Sequence, residues 1–382
     1  MTAQPADLSL PGERLRRALP ILLVLVCVLL VSVHFGLWKS GMFIDEIYSY
    51  GLSNSHYMPF IGNGSHDRIE EQIITRADFE DYLMVTDSEP RFDAGSVYYN
   101  QEQDVHPPLF YWILNFFSSL TPGVFSKWTG LVPNIALHLL TVYLVYALML
   151  ELSAGRPPAG ASADEGERLI SAATAMLYGL SHMGLSTCMM IRMYALMAMF
   201  TVLLALLAAK ELRAPSLRLE LGIAAVLFGG MMTQYYFVFY AFFLCAAVLL
   251  TLLIRRAWKP ALRFALLAFA GVGLMLLCYP AALMQITAGR LGPQSDALEN
   301  LRNLSAWAGR LRYYFGQLRV GLPVAVAVGI LGLVLCAVCA AVRKELRLQR
   351  DDLRFLILLL PVVPTVFIPA LISPVTEGRY IS

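Results

Sequence analysis

Charged residues are scarce in this chain. Asp, Glu, Lys and Arg make up only 15% of its 382 residues, whereas a soluble domain carries about 25%. This shortage argues against an ordinary soluble domain, because the chain has few polar side chains with which to cover its surface. No run of basic residues is interleaved with aromatic residues, so the sequence predicts no nucleic-acid partner.

Cysteine is also rare, and its placement excludes two further kinds of protein. All six cysteines lie in or beside apolar blocks, and none falls in the large polar segment that follows the first block. We therefore predict neither a disulfide framework nor a zinc site. Cys336 and Cys339 have the C-x-x-C spacing of redox motifs, but within an apolar block we interpret them as packing residues.

Long apolar blocks are what the sequence has in abundance. Hydrophobic residues make up 58% of the chain, its mean hydropathy is +0.63, and nine blocks approach the roughly 20 residues that cross a bilayer. The predicted spans are 19–38, 128–150, 169–189, 193–209, 219–234, 235–254, 263–283, 320–342 and 355–372. These blocks predict an all-α polytopic protein of the cell membrane, with a cytoplasmic N-terminal segment at 1–18 and a transmembrane domain over 19–382.

Basic residues fix the predicted orientation. Three arginines at 14–17 precede the first block and no small-residue cleavage site follows it, so we predict a retained helix with a cytoplasmic N-terminus. The basic connections between later blocks then also lie in the cytoplasm, as the positive-inside rule requires. They are 151–168, 210–218, 255–263 and 343–354. The loops 39–127 and 284–319 and the C-terminus are predicted to be external.

The first external loop has local patterns of its own. Thr75 and Asp78 have the spacing of a capping box, which predicts a short helix over 76–84. The apolar stretch 106–120 is too short for an easy crossing, so it predicts a re-entrant helix at the outer face. Segment 43–53 has apolar residues at helical spacing and predicts a helix with one face along the membrane surface. The residues of that face are Ile44, Ile47, Tyr48 and Leu52.

Two adjacent acids, Asp45 and Glu46, follow the first predicted span by a few residues. Carboxylates at the boundary between water and membrane are suited to proton abstraction or to binding a cation. They are equally consistent with solvated loop acids, since the segment 39–105 contains thirteen acidic residues against four basic ones. Position alone leaves both interpretations open.

Five short motifs carry a resemblance to a known family. They are 43–52 (FIDEIYSYGL), 104–111 (DVHPPLFY), 192–196 (RMYAL), 233–237 (TQYYF) and 378–380 (GRY). In this order they resemble motifs of the GT-C membrane glycosyltransferases, particularly the bacterial family 39 members similar to protein mannosyltransferases and aminoarabinose transferases. All five lie on the external side of the predicted topology, and the resemblance runs from about residue 20 to the end.

The chain departs from the family pattern at three places. Met190 and Ile191 stand where an acid usually precedes the arginine of the third motif, and Gln234 stands where the family usually has histidine. The sequence ends at Ser382, where family members continue with further spans. We therefore expect a truncated or minimal member.

The resemblance implies a reaction and its participants. Family members move a sugar from a polyprenyl-phosphate donor to an acceptor hydroxyl, which here belongs to a protein, a lipid or a cell-envelope polymer. Asp45 is the implied general base. Glu46 is implied to orient the acceptor, to assist Asp45, or to help hold a divalent cation such as Mg²⁺ or Mn²⁺.

The remaining implied roles concern the donor and its pocket. Arg192, Arg379 and His106 are implied at the donor phosphate, where cationic groups stabilise the departing charge. Asp104, Tyr194 and Tyr235 are implied to line the pocket. Two alternatives stay open: His106 caps the short helix that follows it, and the two tyrosines are interfacial anchors.

Two other functions are consistent with a polytopic chain. One is a transporter or flippase of lipid-linked sugars, although such proteins usually place ionisable residues near the membrane midplane, and the predicted spans contain almost none. The other is a non-catalytic relative that binds a lipid-linked sugar without transferring it. We predict the glycosyltransferase.

Overall fold

A computed structural model describes residues 11–61, 74–153, 161–287, 302–321, 354 and 357–372. These residues form α-helices joined by turns and loops, and no strand occurs among them. In chain order the helices are α1 (Pro11–Trp38), α2 (Ile44–Asn54), α3 (Arg76–Leu83), α4 (Ala94–Glu102), α5 (Leu109–Ser119), α6 (Lys127–Ser153), α7 (Ala161–Gly179), α8 (His182–Met189), α9 (Tyr194–Arg213), α10 (Leu217–Met231), α11 (Phe237–Ile254), α12 (Trp258–Cys278), α13 (Ala281–Thr287), α14 (Leu304–Gly321) and α15 (Val362–Ile372).

Five of these helices are long and apolar enough to cross a membrane. They are α1 from Leu15 onward, α6, α9, α11 and α12. Helices suit this environment because every backbone group within the span is satisfied internally. The prediction of an all-α multi-pass membrane protein is therefore confirmed, whereas the count of nine spans is not.

The other four predicted spans differ from simple crossings or lie outside the described residues. Helix α10 has 15 residues and α15 has 11, fewer than a spanning helix normally uses. The block 320–342 falls almost wholly outside the described residues, as do Cys336 and Cys339. The block 169–189 is divided between α7 and α8. Ser181 caps the second of these helices by accepting a hydrogen bond from the Gly184 amide at 3.0 Å.

Small residues allow the long helices to pack closely. Helix α12 packs along α10, and α9 packs along α6. At Gly271 of α12, a β-carbon would lie only 2.4 Å from the carbonyl oxygen of Ala224 in α10. Lipid tails are as apolar as the helix surfaces, so such close backbone approach is a main source of helix association in a bilayer.

The bundle has two ends. Helix α9 has 20 residues and is therefore about 30 Å long, which separates Arg192 at its beginning from Arg213 at its end. We call the first the site end, which also contains helices α2 to α5. We call the second the far end, where Arg213 forms a 3.0 Å ion pair with Glu151 of α6.

The segment between α1 and α6 folds onto the site end. Lys127 anchors it, because its Nζ donates to the carbonyl oxygens of Leu37 at 3.1 Å and Lys39 at 2.6 Å. Helix α3 begins with the predicted capping box, in which Thr75 and Asp78 each accept from the other's backbone amide. Helix α5 confirms the predicted short helix, although it begins at Leu109.

Helix α2 is fixed mainly at its C-terminal half. The final carbonyl groups of a helix lack partners within it, and here side-chain amides supply them. Asn115 donates to the Ser53 carbonyl at 2.8 Å and Asn100 donates to the Ser55 carbonyl at 2.9 Å. Gly51 packs so tightly on Tyr82 that a β-carbon would lie 1.9 Å from the ring. These contacts hold the helix that carries Asp45 and Glu46.

The predicted apolar face of α2 is only partly exposed. Ile44 and Tyr48 are 55% and 40% exposed, but Leu52 is 1% exposed and belongs to the protein core. The interpretation of the whole face as a membrane-surface face is therefore wrong for Leu52. Helices α4 and α5 cover that end of α2, a tertiary contact that periodicity does not reveal.

Candidate active site

Glu46 joins the start of α2 to the segment between α8 and α9. Its side chain is buried, with the residue 1% exposed. One carboxylate oxygen accepts hydrogen bonds from the Phe43 amide at 2.7 Å and from Lys39 Nζ at 3.0 Å. The other accepts from the Ile191 amide at 2.8 Å. Glu46 therefore fixes the residue next to Arg192 against the first turn of α2.

Arg192 brings three of the sequence motifs together. Its Nη1 donates to the Asp45 carbonyl oxygen at 3.3 Å, to Ser49 Oγ at 3.4 Å and to Tyr111 Oη at 3.3 Å. Its Nη2 lies 3.4 Å from His106 Nε2. Motifs that are more than 50 residues apart in the chain thus meet around one guanidinium group.

The charge of Arg192 is buried without an ion pair. The residue is 5% exposed, and none of the carboxylates that the structure describes forms a salt bridge with it. Its Nε is buried and has no hydrogen-bond partner among the described residues. Burial favours the neutral guanidine, but Tyr111, Tyr194 and Asp104 outweigh this and raise the pKa of Arg192. A buried cation normally has an anionic partner, so the site is suited to an anionic ligand.

His106 connects Arg192 to Asp104. Its Nδ1 lies 2.7 Å from Asp104 Oδ2. A guanidinium group can only donate, so His106 Nε2 accepts from Arg192 and the proton of a neutral ring lies on Nδ1. Burial lowers the pKa of His106 and Arg192 lowers it further, while Asp104 opposes them. The lowered pKa agrees with this neutral tautomer.

Asp104 stays ionised although it is largely shielded from solvent, with a side chain only 16% exposed. Burial raises the pKa of its carboxyl group, but the neighbouring His106 and Arg192 lower it by more, so the net shift is downward. The site therefore contains a row of three groups in contact: the Asp104 carboxylate, the neutral His106 imidazole and the Arg192 guanidinium group. This arrangement orients Arg192, which also donates to the backbone carbonyl of the half-buried Asp45.

The other predicted site residues have different positions. Tyr194 is 6% exposed and lies beside Arg192. Tyr235 Oη donates to Gln285 at 2.5 Å. The side chain of Gln234 accepts from the backbone amide of the next residue and so serves the turn between α10 and α11. Arg379 lies outside the described residues.

Three residues at the site were not singled out from the sequence. Tyr111 closes the motif 104–111, so its place in that motif was a usable signal. Ser49 follows Asp45 by one helical turn, which puts it on the same face of α2. Gln285 had no signal, because it belongs to a short helix distant in sequence from every motif.

The carboxylates at the site do not form a metal centre. No group of three or more His, Cys, Asp and Glu side chains among the residues with described positions could hold a metal ion. Asp45 and Glu46 do not form a pair of ligands, because both oxygens of Glu46 already accept hydrogen bonds. The Lys39 ammonium group lies where a metal cation would contact Glu46. The described residues therefore do not fit the divalent cation that the family resemblance allows.

No protein-family model, curated protein or solved structure matches this chain.

Proposed function

We propose that this protein is a membrane glycosyltransferase that moves a sugar from a polyprenyl-phosphate donor to an acceptor hydroxyl. The main support is the buried guanidinium group of Arg192, which lies at the end of an apolar helix bundle without an ion-pair partner among the described carboxylates. A lipid phosphate provides the negative charge that this position lacks, while its hydrocarbon tail extends along the bundle. Sequence similarity to the GT-C motifs is the second support.

Asp45 is the general base of the proposed reaction. The acceptor hydroxyl attacks the anomeric carbon of the sugar and its proton passes to the Asp45 carboxylate. The bond between that carbon and the phosphate oxygen breaks, and its electrons leave with polyprenyl phosphate. Arg192 donates to the Asp45 carbonyl at 3.3 Å, so the base and the cation are held in one site.

Arg192 stabilises the departing phosphate. Negative charge grows on the phosphate oxygen as the bond breaks, and charge-assisted hydrogen bonds strengthen at the same time. The buried Nε has no hydrogen-bond partner among the described residues and provides a donor for this purpose. Such preorganised donors contribute a factor of about 10²–10³ to the rate.

The other two acidic residues of the site, Asp104 and Glu46, hold Arg192 and the backbone beside it in place. Asp104 holds His106 in the tautomer whose Nε2 accepts from Arg192. Glu46 holds the backbone beside Arg192 through the Ile191 amide. No step of the reaction passes through Glu46, because its carboxylate is already bound to three donors.

The proposed orientation puts the site end outside the membrane. The basic connections predicted to be cytoplasmic include 210–218 and 255–263, which belong to the far end of the bundle. The positive-inside rule then assigns the far end to the cytoplasm. A lipid-linked donor would be used at the outer face, and the acceptor would be an extracytoplasmic protein, lipid or envelope polymer.

Transfer of radiolabelled sugar from a panel of polyprenyl-phosphate sugars tests this function. We expect the native protein to transfer label and Asp45→Asn to lose at least about 10²-fold in rate, since an amide cannot take the acceptor proton. Asp87→Asn is the matched control, because its side chain is 80% exposed and we expect it to keep full activity.

The outcomes separate the parts of this proposal. Full transfer by Asp45→Asn would contradict the assignment of Asp45 as base but not the activity. An absence of transfer by the native protein with every donor in the panel, in a preparation shown to be folded, would contradict the glycosyltransferase function itself.

A further inference from the structure

Gln285 of α13 contacts four groups around the candidate site. Its Nε2 lies 2.8 Å from the carbonyl oxygens of both Gln101 and Asp104 and 3.1 Å from Tyr279 Oη. Its Oε1 accepts from Tyr235 Oη at 2.5 Å. One side chain thus connects the end of α4, the turn after it, the end of α12 and the turn between α10 and α11.

Gln285 adds a side-chain donor to two carbonyl groups where α4 ends. The Gln101 carbonyl, in the last turn of α4, also accepts from the Asp104 amide at 3.1 Å. The Asp104 carbonyl lies in the turn that leads to α5 and has no partner within a helix. Because Gln285 donates to both, it fixes the backbone of the turn from outside.

Fixing this turn also fixes the polar groups that reach Arg192. The carboxylate of Asp104 holds His106 at 2.7 Å, and His106 in turn accepts from Arg192. A rotation of the Asp104 backbone would shift both side chains. A continuous series of contacts therefore leads from Gln285 through Asp104 and His106 to the guanidinium group of Arg192.

We propose that Gln285 is a positioning residue for sugar transfer, which acts by holding the α4–α5 turn so that Asp104 and His106 orient Arg192. This inference rests on the proposed function. Gln285 binds no part of the substrates in this role, so its loss affects the reaction step more than substrate binding.

An amide is the side chain that this position requires. It supplies donors to the carbonyl oxygens of Gln101 and Asp104 and an acceptor to Tyr235 at the same time. A glutamate has the same shape, but when it is ionised it has no donor and places negative charge against two carbonyl oxygens. When it is protonated it regains one donor. Gln285→Glu therefore makes the contact dependent on pH without changing its size.

The activity test compares Gln285→Ala, Gln285→Glu and the control Met284→Ala, which truncates a neighbouring side chain of α13 that is 72% exposed. We expect Gln285→Ala to lower kcat about tenfold, as for the loss of well-placed hydrogen bonds, with little change in donor KM. The ratio of its kcat to the native kcat should not vary with pH. For Gln285→Glu the ratio of its kcat to the native kcat should rise as the pH falls, and Met284→Ala should match the native protein.

Hydrogen exchange of the backbone amides in the α4–α5 turn provides a readout that does not need activity. We expect faster exchange there in Gln285→Ala than in Met284→Ala, with unchanged exchange in α9. Suppose first that the native protein transfers sugar. The positioning role is then wrong if Gln285→Ala keeps its kcat, or if the ratio of the Gln285→Glu kcat to the native kcat does not vary with pH, while the proposed function stands.

If the native protein transfers no sugar, the proposed function fails. Hydrogen exchange then decides whether Gln285 holds the turn, and unchanged exchange in Gln285→Ala would overturn that contact's role.

Discussion

The two ends of the bundle both bury charged side chains, but they neutralise them differently. At the far end, Glu220 is 1% exposed and accepts two hydrogen bonds from the guanidinium group of Arg263, one of them at 2.8 Å. Glu151 forms a 3.0 Å ion pair with Arg213. These two buried acids each have a cationic partner, as stable burial of charge requires, whereas the buried Glu211 accepts a hydrogen bond from the Ser216 amide.

At the site end, the buried cation Arg192 has only uncharged hydrogen-bond partners. The nearest acid in its network, Asp104, acts on it through His106. The comparison shows that burial of a charge does not by itself mark a functional site, since the far end buries several. The informative feature is a buried cation that the described residues leave without an ion pair.

The largest expected effect comes from removing one arginine at each end. Arg192→Gln should lower kcat for sugar transfer about 10²–10³-fold, because the departing phosphate loses its charged donor. Arg263→Gln should lower the melting temperature, because Glu220 is left buried without its partner, while the folded fraction keeps its kcat. Transfer assays normalised to folded protein and thermal unfolding in detergent measure both. An equal loss of kcat in the two variants would contradict the distinction between the ends.

A smaller effect is expected from Glu46→Gln, which sharpens the comparison within the site end. In the native protein both Glu46 oxygens accept hydrogen bonds, one from Lys39 and Phe43 and the other from Ile191. A glutamine amide has only one oxygen, so whichever way it is oriented its NH₂ group faces one of these sets of donors. We expect a loss of about 3 kcal/mol in the free energy of unfolding. Glu80→Gln is the control, because its partner Arg76 is 90% exposed and such pairs contribute little. Unchanged stability of Glu46→Gln would mean that Glu46 is not the structural link described above.

The smallest effect concerns pH and His106. Its pKa is lowered by burial, so the folded protein keeps the ring neutral where the unfolded chain already binds a proton. The stability that neutral His106 contributes is therefore complete above the ordinary value of 6.5 and is lost as the pH falls through the lower folded value. Protonation would also replace the hydrogen bond from Arg192 with repulsion, so transfer should decline in the same direction.

His106→Asn tests this dependence, because asparagine has no titrating proton. We expect its stability and its relative kcat to vary less with acid pH than those of the native protein. His138→Asn is a useful comparison, since His138 lies within the bundle against the Gly179 carbonyl at 3.0 Å. An identical acid profile in His106→Asn and the native protein would remove His106 as the titrating group.

Local patterns predicted the elements of this fold well. Apolar length predicted the long helices, the Thr75–Asp78 pair predicted the start of α3, and the polar stretch 233–236 predicted the separation of α10 from α11. All these features depend on a few neighbouring residues, which is why the sequence reveals them.

The assembly of the candidate site was beyond such patterns. Similarity of motifs predicted that Asp45, His106 and Arg192 belong together, but not that Glu46 uses its carboxylate to hold the Ile191 amide. The break between α7 and α8 was missed because the apolar block is continuous across it. The buried end of α2 was missed because its cover comes from α4 and α5.

Composition and periodicity alone determined that this chain is an all-α membrane protein with its polar elements concentrated between α1 and α6. They could do so because transfer of apolar side chains and backbone groups into lipid depends on each segment separately. Only the tertiary structure decided which buried charges are paired, which tautomer His106 adopts and that Gln285 reaches the turn beside Asp104. Those properties depend on distances between residues up to 184 positions apart in the chain, and such distances are set by packing.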